Sequence, residues 1–254
     1  MGERRAWYTG APIQAAPPNM RFQPELVEAT LLRRYKRFLA DVRLADGSEV
    51  IAHCANTGRM TGCCDPGATV LLAPARPGNK LPFSWKLVRV GRSWVSVDTS
   101  LPNRVVADAL RGGKVPELAG YDTVRTEVPY GHENRSRIDV LLEDSSGAAP
   151  PCYVEVKNVT LREGRSALFP DAVSTRALKH LHELAREVRS GNRAALLLFV
   201  ARADCDSFSA AELVDPDWAA ALHEVADAGV EVMPWQARID RRGVTLRRPL
   251  PWIR

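Results

Sequence analysis

The chain has 254 residues, 45% hydrophobic and 26% charged, a soluble globular profile that excludes a disordered chain, a collagen and a disulfide scaffold. No run approaches the ~20 apolar residues of a membrane span, and an odd number of cysteines, five, fits a reducing compartment. The net charge of +5 is unevenly spread: residues 21–89 hold 11 Lys and Arg against 6 Asp and Glu, whereas 91–254 hold 22 against 23, so an anionic partner is expected for the first part of the chain.

In chain order, residues 1–20 carry Arg4, Arg5, Pro12, Pro17 and Pro18 without the apolar stretch of a secretory signal. A flexible start and a cytoplasmic location are expected. Residues 28–99 read as short strands between turns. A stretch over 28–44 ends at Asp46-Gly47, 49–54 is short and apolar, Asp65-Pro66-Gly67 is a turn, and 69–72 is β-branched and leucine-rich. Residues 83–90 and 93–97 form a hairpin about Gly91-Arg92. About five strands without a long helix predict a small OB-like barrel over 21–98. Cys54, Cys63 and Cys64 fit no common zinc spacing and read as free thiols.

From residue 99 the texture changes to an α/β domain with a mixed sheet. Asn103 is placed to cap a helix over 104–111, stopped by Gly112-Gly113. Strands are expected over 123–130, 137–143 and 152–161. A helix follows over 171–189 with Asp171 at its cap, then a buried strand over 193–201, a helix over 217–228 after Asp215-Pro216, and a strand over 230–233. The arginine-bearing tail, 238–254, shows no strong period.

The chemistry concentrates on two of these strands. In Ser136-Arg137-Ile138-Asp139-Val140 and Tyr153-Val154-Glu155-Val156-Lys157, alternation sets Asp139 opposite Ile138 and Val140, and puts Glu155 and Lys157 on one face. Carboxylates among apolar neighbours need a partner, and two converging ones are relieved by a divalent cation. Asp139 and Glu155 would hold Mg²⁺ or Mn²⁺, with Glu127 as a third acidic ligand. The cation would polarise a phosphate and Lys157 would orient a water. The Asp…Glu-x-Lys pattern is that of PD-(D/E)XK nucleases, with Ile138 in the Pro position. The competing reading is a solvated Glu–Lys edge strand. Arg176, Lys179 and His180 share a helix face that could grip a phosphate backbone. Arg33, Tyr35, Lys36 and Arg37 interleave charge and an aromatic ring, with Arg33, Tyr35 and Arg37 on one strand face suited to nucleic acid.

Six blocks carry a wider resemblance. They are Leu32-Arg33-Arg34-Tyr35-Lys36-Arg37-Phe38-Leu39-Ala40-Asp41-Val42, His53-Cys54-Ala55-Asn56-Thr57-Gly58-Arg59-Met60, Ser136-Arg137-Ile138-Asp139, Tyr153-Val154-Glu155-Val156-Lys157-Asn158-Val159-Thr160-Leu161, Phe169-Pro170-Asp171-Ala172-Val173 and Lys179-His180-Leu181-His182-Glu183-Leu184. In this order the chain resembles the sugar fermentation stimulation protein A (SfsA) family, departing from it at Ala55, where the family pattern usually has Pro, and in the arginine-bearing tail after Met233, which is not part of the motif set. The resemblance implies an OB-like N-terminal domain, a restriction-endonuclease-like domain over 99–254 and DNA binding without marked sequence preference. A nuclease is the first expectation. A non-catalytic DNA-binding regulator of sugar (maltose) metabolism is the alternative, RNA is an alternative partner to DNA, and a homodimer is left open.

Overall fold

The computed structural model describes residues 20–131 and 136–254. The flexible start expected over 1–20 therefore lies, apart from Met20, outside the described residues. Strand β1 (Met20–Arg21) comes first, and then β2 (Val27–Tyr35), β3 (Leu39–Leu44), β4 (Glu49–Cys54), β5 (Thr69–Pro74), β6 (Phe83–Val90) and β7 (Ser93–Ser96) form one sheet in the order β4-β3-β2-β5-β6-β7. A further parallel pairing of β4 with β6 closes β2–β6 into the five-stranded barrel that the sequence predicts. Leu31, Val42, Ala52, Val70, Leu72, Trp85 and Val88 fill the barrel interior; alternation breaks once, on β6, where the pairing with β5 shifts register and Trp85 and Val88 face inward while Leu87 faces the other cluster.

The stretch over 28–44 is two strands, not one. Lys36 and Arg37 take left-handed φ values of 49° and 67°, and they turn the chain through a hairpin that pairs Tyr35 with Leu39. Neither residue is a usual turn former, which is why the break is invisible in composition.

The second unit holds α1 (Leu101–Arg111), a 3₁₀ turn (Pro116–Leu118), β8 (Thr123–Tyr130), β9 (Ser136–Glu143), β10 (Cys152–Val159), β11 (Leu161–Glu163), β12 (Ser166–Phe169), α2 (Thr175–Arg189), β13 (Arg193–Val200), β14 (Ser207–Ala210), α3 (Pro216–Asp227), β15 (Glu231–Asp240) and β16 (Gly243–Pro249). A seven-stranded sheet runs β1-β16-β15-β13-β10-β9-β8. Strands β10, β13 and β15 are parallel and the outer pairs antiparallel, so the sheet is mixed as expected.

One face of this sheet packs with α1 through Val105, Val140, Leu142, Val154, Val156 and Leu197. The other packs with α2 and α3 through Leu141, Leu181, Leu184, Leu196, Leu198, Trp218 and Leu222. Strand β13, covered on both sides, is therefore the continuous apolar run seen in the sequence. The tail without a period is a hairpin, β15–β16, turning at Arg241-Arg242. Strand β1 completes the far edge of this sheet rather than joining the barrel.

Candidate active site

The site opens where β9 and β10 part. Their antiparallel ladder runs from Cys152↔Leu142 to Val154↔Val140 and stops; the next residues in register are Glu155 and Asp139. Beyond that point the Val156 N–H has lost its ladder acceptor on this side, and the Asp139 carboxylate replaces it, with Oδ2 accepting at 2.7 Å. Face alternation slips at the same place. Ile138 and Leu141 lie in the α2 layer, whereas Val140 and Leu142 lie in the α1 layer. Asp139 thus sits at an irregularity rather than in the regular strand the sequence suggests. Opposite it on β8, Glu127 has a φ of 55°, a kink in the neighbouring edge strand.

Two helices complete the site. From α1, Asn103 Nδ2 donates to Asp139 Oδ1 at 2.6 Å and lies 3.4 Å from Glu127 Oε1. Asn103 is not the helix cap: Ser100 occupies that position, and Asn103 stands in the first turn with its amide aimed at the carboxylates. From α2, His180 meets Glu155 Oε1 through Nδ1, and Lys157 Nζ donates to the same oxygen at 2.5 Å and lies 3.3 Å from His180 Nδ1. A carboxylate only accepts, so the Nδ1 proton points at Glu155. The cap of α2 is Ser174, whose hydroxyl accepts from the Ala177 N–H. Asp171, expected there, instead accepts from the Met60 N–H of the barrel at 3.2 Å.

Electrostatics divide the two carboxyls. Glu155 is 2% exposed. Burial pushes its carboxyl up, but the hydrogen bond from His180 and the charge of Lys157 outweigh it and hold it below the ordinary value. Its Oε2 is buried with no hydrogen-bond partner. Asp139 is pushed up to about 6, first by burial and then by the charge of Glu155, against the pull of the Val156 N–H, Lys157 and Asn103.

A second polar cluster adjoins the first, and the sequence reading missed it. Glu183, 4% exposed, lies one helical turn beyond Lys179 and His180. It accepts from the Ser136 hydroxyl at 2.7 Å and the Tyr130 hydroxyl at 3.4 Å, with Lys179 Nζ also 3.4 Å away. Burial, then the charges of Glu155 and Glu183, push the Tyr130 hydroxyl up, so it stays a donor. The available signal was the i, i+3 spacing of His180 and Glu183.

Of the predicted residues, Asp139, Glu155, Lys157 and His180 come together. His180 is buried against Glu155 rather than on an open phosphate-gripping face. Lys179 is exposed but reaches back to the Ser136 hydroxyl at 3.0 Å, and Arg176 is exposed on the first turn of α2. Glu127 is exposed and linked to Asp139 only through Asn103. Among the described residues, no group of three or more His, Cys, Asp or Glu side chains is arranged to hold a metal ion. On the barrel, Arg33 stacks over Tyr35, 5.0 Å from the ring centroid, and pairs with Asp41 at 2.6 Å. Lys36 and Arg37 belong to the hairpin tip and not to that strand face. Arg37 Nε is spent on the Thr57 carbonyl at 2.7 Å.

The Glu155 carboxylate, its Oε2 unpartnered while Oε1 takes both Lys157 and His180, and the Asp139 carboxyl raised by its charge are hard oxygen donors of the kind that suits a divalent cation.

Known proteins resemble both units. Residues 32–97 match the family model described as the SfsA N-terminal OB domain, and residues 100–243 the one described as the sugar fermentation stimulation protein RE domain. A sugar fermentation stimulation protein homolog of Pelobacter propionicus is 51% identical over 231 residues, 91% of this chain and 98% of its own. One from Paramagnetospirillum magneticum is 49% identical over 232 residues, 91% of this chain and 97% of its own. The solved structure of Pyrococcus furiosus SfsA in complex with Ca²⁺ superposes with a TM-score of 0.84 at 29% identity, covering 94% of this chain and 100% of that one. With both domain models matched in order and relatives of this identity along nearly their whole length, the chain belongs to the sugar fermentation stimulation protein family.

Proposed function

We propose that this protein binds DNA without sequence preference and hydrolyses phosphodiester bonds with a divalent cation, Mg²⁺ or Mn²⁺, held by Asp139 and Glu155. The observation that carries the reading is the buried, ionised Glu155 whose Oε2 lacks a partner beside a second carboxylate. Such an arrangement is costly when left bare and is relieved by a doubly charged ion. The Ca²⁺ in the Pyrococcus furiosus relative, another hard oxygen-seeking cation, supports it. When bound, the ion would polarise the scissile phosphate and ease ionisation of a water.

The chain's own groups divide the remaining work. His180 and Lys157 fix the Glu155 rotamer through Oε1 and leave Oε2 for the ion. Lys157 Nζ, the cation nearest the carboxylates, orients the attacking water and offsets charge growing on the phosphate. Asn103 fixes Asp139 and also donates to Glu127, which we assign to the outer edge of the site. Arg176 and Lys179 flank the opening as phosphate contacts, and Arg33, Tyr35, Lys36 and Arg37 add to the field that draws a polyanion to the barrel.

The test is cleavage of single-stranded DNA, duplex DNA and RNA in Mg²⁺ or Mn²⁺ by the wild-type protein and by Glu155→Gln. A loss of about a hundredfold or more is expected on removing that charge. Equal cleavage by both proteins removes the assignment. The basic excess of residues 21–89 favours a second reading, a DNA-binding regulator of sugar metabolism without catalysis. It requires DNA binding that is indifferent to Mg²⁺ and unaltered in Glu155→Gln, with no cleavage of any substrate.

A further inference from the structure

We infer that a small cavity between the barrel and the second unit binds a monovalent metal cation, K⁺ or Na⁺, through the oxygens of Asp171, Asn158 and Asn56. The cavity measures about 60 Å³ and lies where the loop after β4, which carries Asn56, meets the ends of β10 and β12. The inference does not rest on the reading above, because Asp139 and Glu155 do not line this cavity.

Three features select the occupant. First, the polar part of the lining is rich in acceptors. Asn158 Oδ1 is buried with no hydrogen-bond partner among the described residues. Asn56 is buried, and its Oδ1 accepts from the Gly58 N–H alone, at 2.8 Å. The Asp171 carboxylate accepts from the Met60 N–H alone, at 3.2 Å, so one of its oxygens is open. Thr99 and Thr160 add hydroxyls. Carboxylate and amide oxygens have lone pairs and no proton to give, so they cannot satisfy one another. Second, these oxygens converge. The point that a Cβ on Gly58 would occupy lies 2.6 and 3.1 Å from the two Asp171 carboxylate oxygens and 3.0 Å from Asn56 Oδ1. Glycine leaves that space open between the barrel loop and the loop that leads into α2. Third, the charge is unbalanced. Asp171 is the one ionisable side chain of the lining, and the rest of the wall is apolar, with Phe169 among it. The Arg34 guanidinium serves the same barrel loop, but its terminal nitrogen is committed to the carbonyls of Arg37, Asn56 and Gly58. Water can solvate such a cavity, but only a cation cancels its charge.

Charge balance sets the valence. One carboxylate with one positive charge makes a neutral site, whereas a divalent ion would leave net charge in a largely apolar enclosure. Mg²⁺ also demands octahedral geometry and keeps several of its waters, for which so small a cavity has no room. Neutral carbonyl-type oxygens in place of hydration water are the coordination that K⁺ accepts. Na⁺ shares that chemistry, so the experiment separates the two. The ion ties Asn56 of the barrel to Asp171 and Asn158 of the second unit, and it stabilises the fold in proportion to its occupancy.

The test is the thermal midpoint of the full chain in KCl, NaCl or choline chloride at one ionic strength. EDTA is added as its tetramethylammonium salt, which strips divalent ions from Asp139 and Glu155 and leaves K⁺ and Na⁺ free. Replacing choline by the preferred ion is expected to raise the wild-type midpoint by about 3 °C or more, growing with the logarithm of its concentration. The larger rise identifies that ion. Asp171→Asn removes the charge and keeps an acceptor for the Met60 N–H. Asn158→Leu removes the buried amide oxygen at similar volume. Both variants are expected to lose the rise. The readout is the difference between salts within one variant, so a general loss of stability does not enter it. A purely structural role for Asp171 and Asn158 would lower the midpoint equally in every salt and leave the rise intact, which overturns the site. Equal wild-type midpoints in the three salts overturn it as well.

Discussion

Asp139 is the residue at which function and stability pull apart. Its carboxyl is displaced from the ordinary 3.8 to about 6, first by burial and then by the charge of Glu155. A folded-state value above the unfolded one means that the native protein holds the proton more tightly. Stability from this group is therefore full below about pH 4 and is lost as the pH rises through 6. Asp139→Asn removes the repulsion and keeps an acceptor for the Val156 N–H, while the Asn103 amide can flip to meet the new NH₂. The variant is expected to be more stable than wild type at pH 7 by about 1–3 kcal/mol, with the difference vanishing near pH 4. Thermal midpoints measured across that range check it, and a variant less stable than wild type at pH 7 would show that the repulsion is not the dominant effect. The acidic pair and its lysine were legible in the sequence because a carboxylate in an apolar strand advertises itself. Asn103, Asp171 and Glu183 were not. The short side chains of Asn and Asp that suit a helix cap suit a distant carboxylate or backbone N–H equally well, and Glu183 reads as an ordinary helix residue.

Among the elements, the hairpin between β2 and β3 and the loop after β4 depend on one guanidinium. Arg34 donates through a single terminal nitrogen to the carbonyls of Arg37, Asn56 and Gly58 at 2.7, 2.8 and 2.9 Å. These bonds hold the left-handed hairpin tip against the loop whose Met60 N–H meets Asp171. A Cβ at Gly58 would stand 2.6 Å from Asp171 Oδ2, so a larger residue there would push that carboxylate off the Met60 N–H. Lysine has the charge, but its shorter side chain does not carry an ammonium to the place of that terminal nitrogen. Arg34→Lys is expected to cost about 2 kcal/mol, the worth of a hydrogen bond or two to a charged donor, read as a lowered urea midpoint. An unchanged midpoint would mean that the loop is held by other contacts. The barrel strands themselves were plain from alternation and turn residues. The hairpin was hidden because Lys36 and Arg37 carry no turn signature, and β15–β16 because Pro234 and a run of arginines mask its period.

Across the molecule, composition marks a boundary near residue 98 that the packing does not respect. Leu71 and Leu87 from barrel strands lie in the same buried cluster as Leu101 and Val105 of α1, Ala237 and Ile239 of β15 and Val244 of β16. Met20 of β1 enters that cluster from a strand that precedes the barrel in sequence yet pairs with β16 at the other end of the chain. Such a pairing leaves no local mark, so no reading of periodicity could assign it. The two units are further joined by the Ser96 N–H on the Ala201 carbonyl at 3.0 Å and by the ion pair of Arg241 with Glu28 at 2.5 Å. Neither unit can lose its structure without exposing part of the other's core to water, at a cost set by the apolar area uncovered. Independent domains usually melt separately; here one cooperative transition is expected. Differential scanning calorimetry should give a single peak, with an enthalpy of about 0.7 kcal/mol per residue over the whole folded chain and equal to the van't Hoff value. Two resolved transitions, or a calorimetric enthalpy well above the van't Hoff one, would mean that the shared cluster does not couple the barrel to the site.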